Sequence, residues 1–153
     1  MGDDLRISTH VDAAFAGRVD VAALEGLARQ VVVSEGVPAP AELGLVITDD
    51  DTLRDLNRRY RGMNEPTDVL SFGLESAEPF VSPPDGVQRL GEVIVSFPAA
   101  ERQAREAGYP LEAELAHLVV HGVLHLLGYD HQQPEEAQAM RAREEALLGG
   151  AAH

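Results

Sequence analysis

The amino-acid sequence predicts an α+β fold: one small mixed sheet of four strands packed with about five helices, one of them central and buried. Three observations carry this. The order of local patterns along the chain is βαβαββααα, with two consecutive strands that no helix separates. Residues 114–128 are apolar nearly all round the helical wheel, the pattern of a helix enclosed by the rest of a fold. The chain has 153 residues, 44% of them hydrophobic, which suits a single domain over residues 1–153 with one core.

Each element has its own signal. Residues 5–11, LRISTHV, have the β-branched content of a short strand. Residues 19–37 read as a helix: Asp20 caps it, Leu24, Leu27, Ala28 and Val31 recur at helical spacing, and Gly36 and Pro38 stop it. Residues 42–50 alternate and then run apolar, as a strand does, and Thr48 and Asp49 are good caps for a helix over 50–62. That helix carries Leu53, Leu56, Asn57 and Tyr60 on one stripe and Arg54, Arg58 and Arg61 on another. Residues 67–74 form the third strand, and 75–89, rich in Pro and Gly, a loop long enough for a lid or binding loop. Residues 90–97 form the fourth strand, antiparallel to the third. A helix over 98–108 starts at Pro98 and ends at Gly108, the buried helix 110–128 starts at Pro110 and ends at Gly128, and a charged helix spans 134–148.

Composition narrows the function. There is no cysteine, so disulfides and Cys-based zinc fingers are excluded and any metal must rest on His, Asp or Glu. This usage fits a reducing cytoplasm. The first residues lack the pattern of a signal peptide, and no stretch reaches the ~18 apolar residues of a membrane span, so no membrane partner is expected. The net charge is −14, with 12 basic residues, all arginine. By charge alone this argues against a nucleic-acid partner and favours a soluble protein with at most a local basic patch.

The chemistry lies in the buried helix and just beyond it. On a wheel at ~100° per residue, His125 falls about 40° to one side of His121, His117 about 40° to the other, and Glu114 about 20° away, two turns earlier. Residues at i and i+4 sit about 5–6 Å apart at Cβ, so His121 and His125 can share one metal. A third ligand must come from outside the helix. Gly128 supplies the break, and Tyr129 and Asp130 bring His131 back to the same face. Three neutral ligands leave a fourth position for water, the arrangement of a catalytic zinc site with one Zn2+ per chain. The spacing is that of a zinc peptidase, but the position of the catalytic glutamate is Gly122, so proteolysis is disfavoured and attack on a phosphodiester is easier to accommodate.

The stretch HGVLHLLGYDH at 121–131 is very similar to the H-G-x-L-H-L-x-G-Y-D-H motif of the bacterial YbeY family of rRNA maturation endoribonucleases. LNRRYRGMNEPTDVLSF at 56–72 resembles a second block of that family, and LGEVIVS at 90–96 a third, with Glu92 where Asp is usual. The resemblance implies a YbeY-like metallohydrolase domain and a metal-dependent, single-strand-specific endoribonuclease. It implies action in maturation of the 3′ end of 16S rRNA and in ribosome quality control, with the small ribosomal subunit and its proteins as partners. It makes His121, His125 and His131 the zinc ligands and Arg61 the arginine of the cleft.

Other roles stay open at this stage. His117 and Glu114 are candidates for moving a proton by geometry only; His117 is otherwise a hydrogen-bonded core residue or, like Glu114, a group behind the ligands. Asp130 either orients a ligand histidine or caps the turn. Arg58 and Arg54 either bind phosphates beside Arg61 or pair with Asp50, Asp51 or Asp55 on a solvated face. A ribosome-assembly binding factor with a structural metal is the alternative function, and a metallopeptidase the least favoured.

Overall fold

The computed structural model describes residues 5–37, 40–61, 68–73, 88–127 and 134–147. The elements follow the expected order: β1 (Leu5–Val11), α1 (Val21–Ser34), β2 (Ala41–Thr48), α2 (Asp50–Arg61), β3 (Val69–Gly73), β4 (Gln88–Ser96), α3 (Phe97–Ala107), α4 (Leu111–Leu126) and α5 (Pro134–Leu147). The expected caps form. The Asp20 side chain accepts from the Ala23 amide at 3.1 Å, and Asp49 from the Thr52 amide at 2.8 Å. α3 has a cap that the residue pattern did not single out: Ser96 Oγ accepts from the Ala99 amide, with Pro98 in the first turn.

The sheet has the order β1-β2-β4-β3. β1, β2 and β4 run parallel, and β3 lies antiparallel on the edge beside β4, as expected of two strands with no helix between them. Helices cover both faces. On one, Leu43, Leu45 and Ile47 of β2 and Val93 and Val95 of β4 join α1 and α4 in the main core. On the other, Leu70 and Ile94 pack with Leu53 of α2 in a smaller cluster.

Beyond shifts of one to three residues at element ends, an extra element and an earlier start of β4 depart from expectation. A 3-10 helix, Ala13–Arg18, follows β1; Asp12 caps it, and its Phe15 stacks on the fully buried Phe97 with ring centroids 4.6 Å apart. Its six residues are too few to show helical periodicity. β4 begins at Gln88, so the last two residues of the expected 75–89 loop belong to the ladder, with Gln88 opposite Ala41 and Arg89 opposite Glu42. Backbone pairing needs no apolar side chain there. The rest of that loop lies outside the described residues. Leu43 then pairs with Gly91 rather than Leu90, a bulge whose Gly91 sits at φ 124°, which L side chains rarely adopt.

α4 is the hub. It packs against α1, α3, α5, β3 and β4. Leu115, Leu118, Val119, Val120, Val123 and Leu124 are all buried, each contributing about 1.5–3 kcal/mol relative to exposure. The close approach to the sheet is made at Gly122. A Cβ there would stand 2.5 Å from Val93 Cγ1 and 3.3 Å from both Ser71 Oγ and Val69 Cγ2. Ser71 Oγ also donates to the Gly122 carbonyl at 2.9 Å, pinning helix to strand.

This contact sets two effects against each other in Gly122→Ala. Alanine gains about 1 kcal/mol of helix propensity. The added methyl overpacks a stiff β-branched neighbour, which costs about 1–3 kcal/mol. The expected result is a net loss, seen as a lower urea midpoint at unchanged m-value; a higher midpoint would show that the contact yields freely.

Candidate metal centre

Four polar residues of α4 rise in a line from its first turn to its last: Glu114, His117, His121 and His125. The helix is otherwise so apolar that each must be met by another part of the fold. Glu114 is 3% exposed and accepts a hydrogen bond from the Tyr109 hydroxyl at 2.6 Å. Burial and the adjacent Glu114 carboxylate push the Tyr109 phenol up to about 12.

The histidines are met from α5. Glu144, 8% exposed between the buried Met140 and Leu147, points its carboxylate at α4. Its Oε2 lies 2.6 Å from His121 Nδ1, and its Oε1 lies 3.4 Å from His117 Nε2. Burial raises the Glu144 pKa, but the hydrogen bonds and charges of His117 and His121 together outweigh it and hold the carboxyl well below its ordinary range. The Glu144 contact raises the His117 pKa against the opposing effect of burial. An ionised carboxylate can only accept, so this contact calls for the Nδ1–H form of His121. Nε2 is then the nitrogen His121 has to offer a metal.

His121 and His125 stand one helical turn apart with their rings nearly parallel, at 5°, and their centroids 6.5 Å apart. Nδ1 of His125 is shut off from solvent. Two imidazoles side by side, one backed by a carboxylate, are a donor set suited to zinc. His131 and Asp130 lie outside the described residues, as does the Gly128 break.

His117, His121 and Glu144 also bring ligand atoms within 4.8 Å of one another. They do not form a cage as they stand. The 2.6 Å between His121 Nδ1 and Glu144 Oε2 is a direct hydrogen bond, with no room for an ion between the two atoms. Among the described residues the carboxylate that meets His121 is Glu144, a residue the sequence pattern did not single out. The signal was present in the sequence: Met140, Glu144 and Leu147 fall at i, i+4 and i+7, an acid inside an otherwise apolar stripe.

Beside His117 opens a cleft of about 470 Å³, lined by Asp68, Gln103, Glu106, Tyr109 and Glu114 among others. Gln103 donates to Asp68 at 2.9 Å across it. Its carboxylates make it a poor place for a phosphate. On α2, Arg58 pairs with Asp55 at 2.8 Å on an exposed face, and Arg59 joins the same carboxylate at 3.1 Å. The solvated-face reading holds for Arg58 in this state; such a surface pair is worth at most about 1 kcal/mol and can exchange for another anion. Arg61 is the last residue of α2, and its side chain lies outside the described residues.

The chain is similar to known proteins in sequence and in fold. The family profile described as "Endoribonuclease YbeY" matches residues 12–151. A relative named Endoribonuclease YbeY from Roseiflexus castenholzii is 44% identical over 147 residues, covering 95% of this chain and 92% of its own. One of the same name from Pelotomaculum thermopropionicum is 50% identical over 131 residues, covering 83% and 86%. The solution structure of TM1509 from Thermotoga maritima has a TM-score of 0.58 at 26% identity, covering 94% of this chain and 89% of that one.

The Tyr109–Glu114 pair predicts an alkaline signature. A phenol whose folded pKa is raised contributes stability that is complete below its unfolded pKa of ~10 and is lost as pH rises through the folded value. The window is therefore between pH 10 and about 12. Absorbance titration of the tyrosinate should show one of the three tyrosines ionising near the upper value, and Tyr109→Phe should remove that step.

Proposed function

The chain belongs to the YbeY family of endoribonucleases, and from that premise we propose that it is a zinc-dependent enzyme cutting single-stranded RNA in rRNA maturation, at the 3′ end of 16S rRNA, and in ribosome quality control. Its partners in this reading are rRNA and the small ribosomal subunit with its proteins, and its place is the cytoplasm. No described helix is long and apolar enough to cross a membrane.

The observation that favours a phosphodiester over a peptide bond is Gly122. In a zinc peptidase the residue after the first histidine carries the base that activates water against an amide. Here that direction is occupied by Val93, Val69 and Ser71 of the sheet. The position serves packing. What is left on the open side is a row of imidazoles, and phosphate chemistry depends chiefly on positioning and on positive charge at the phosphate oxygens.

In this reading His121 and His125 hold zinc through Nε2, with His131 as third ligand. Bound there, zinc supplies Lewis-acid stabilisation of charge on the phosphate and lowers the pKa of water. Arg61 binds the scissile or a neighbouring phosphate, and Arg58, three residues before it on the helix, releases Asp55 to assist. His117, raised in pKa by Glu144, is the group placed to carry a proton, and Asp130 orients a ligand histidine.

Metal analysis paired with an RNA cleavage assay tests this. The purified protein should hold about one zinc per chain. His121→Ala should lose both metal and cleavage, whereas Arg61→Ala should keep the metal and lose cleavage. Full ribonuclease activity in metal-free His121→Ala protein would overturn the proposal.

A further inference from the structure

Glu144 belongs to none of the motif blocks that carry the site, and it lies 23 residues from His121 on a different helix. Its placement is nevertheless costly. A carboxylate 8% exposed, with Met140 at 2% and Leu147 at 8% beside it, gives up most of its hydration. A structural role alone would be served by an apolar side chain continuing that stripe. The contacts it makes are directed: one oxygen to His121 Nδ1 at 2.6 Å, the other toward His117 Nε2 at 3.4 Å. The two histidines are one turn apart, so the carboxylate spans them and its plane is set by both.

We infer that Glu144 is a positioning residue for the metal centre, fixing the proton of His121 on Nδ1 and turning Nε2 toward the metal. A carboxylate in this place locks the ring tautomer, fixes the ring about its bond to Cβ, and makes the opposite nitrogen a stronger donor. It is not itself a ligand through this contact. Two ligand atoms on one tetrahedral zinc, each about 2.0–2.1 Å from the ion, stand well over 3 Å apart, against the 2.6 Å seen. The inference rests on the zinc reading above and adds to it a residue of α5 that the histidine motif does not contain.

The test uses the full chain with Glu144→Gln and Glu144→Ala, and zinc as the probe. Glutamine keeps the volume and can still accept from Nδ1–H, so that variant should fold. Zinc affinity, read by competition with a chromophoric chelator, should fall about ten- to a hundred-fold, less for Gln than for Ala. In the metal-free proteins, nitrogen–proton correlation spectra of the imidazoles should show His121 as the Nδ1–H tautomer in the parent. A shift toward Nε2–H is expected in Glu144→Ala, which a merely structural role would not produce. Parental zinc affinity and an unchanged tautomer in both variants overturn this inference alone. Zinc bound by His125→Ala but not by Glu144→Gln also overturns it, because Glu144 would then be a ligand. A parent that binds no zinc overturns the zinc reading and this inference together.

Discussion

A helix enclosed on nearly every side can carry a polar stripe only if the rest of the fold meets it, and that constraint on α4 organises this molecule. Its apolar directions are filled by α1, α3, α5 and the sheet. Its polar direction receives partners from two places: Tyr109, just ahead of the helix, for Glu114, and Glu144 on α5 for His121 and His117. Left unmet, each buried polar group would forfeit about 1–3 kcal/mol or more. Docking α5 therefore completes the core, through Met140 and Leu147, and orients the imidazoles in the same step.

The acidic balance of the chain takes on meaning against this arrangement. A net charge of −14 would repel a polyanion if spread evenly. Part of it is used internally. Asp50 accepts from Ser96 and Arg102, Asp55 holds Arg58 and Arg59, and Glu144 is turned inward onto His121 and His117. Asp68, Glu106 and Glu114 line the cleft beside His117 and make that side unfavourable to a phosphate backbone. Charge thus narrows the directions from which RNA can approach rather than attracting it from a distance.

Much of the architecture was legible in the residues because the signals were local. The wheel of 114–128 identified the central helix, Asp20 and Asp49 marked helix starts, and the missing helix between the last two strands gave their antiparallel pairing. The close packing expected at Gly122 is a contact at 2.5 Å from a built Cβ to Val93. What escaped depended on distant parts of the chain. The 3-10 segment holds its place by stacking Phe15 on Phe97, and Gln88 joins β4 because Ala41 offers it a ladder partner. Glu144 escaped because its helix is charged over most of its surface, which hid the single acid on the inward stripe. A motif search over 121–131 shows candidate ligands but not the carboxylate that aims one of them.

Gly122 and Glu144 together explain how one helix can keep the histidine spacing of a peptidase and serve a different bond. The wheel gives α4 a side toward the sheet and a side toward α5. On the sheet side the position of an amide-activating base has been given to packing, so no carboxylate there can take a proton from water. On the α5 side a carboxylate is present, but it is turned to the Nδ1 edge of His121. Exchanging those two roles, a carboxylate following the first histidine and a small residue on α5, would rebuild the peptidase arrangement and would drive a side chain into Val93. The packing that makes the helix central thus also fills the position next to His121 where a peptidase base would stand.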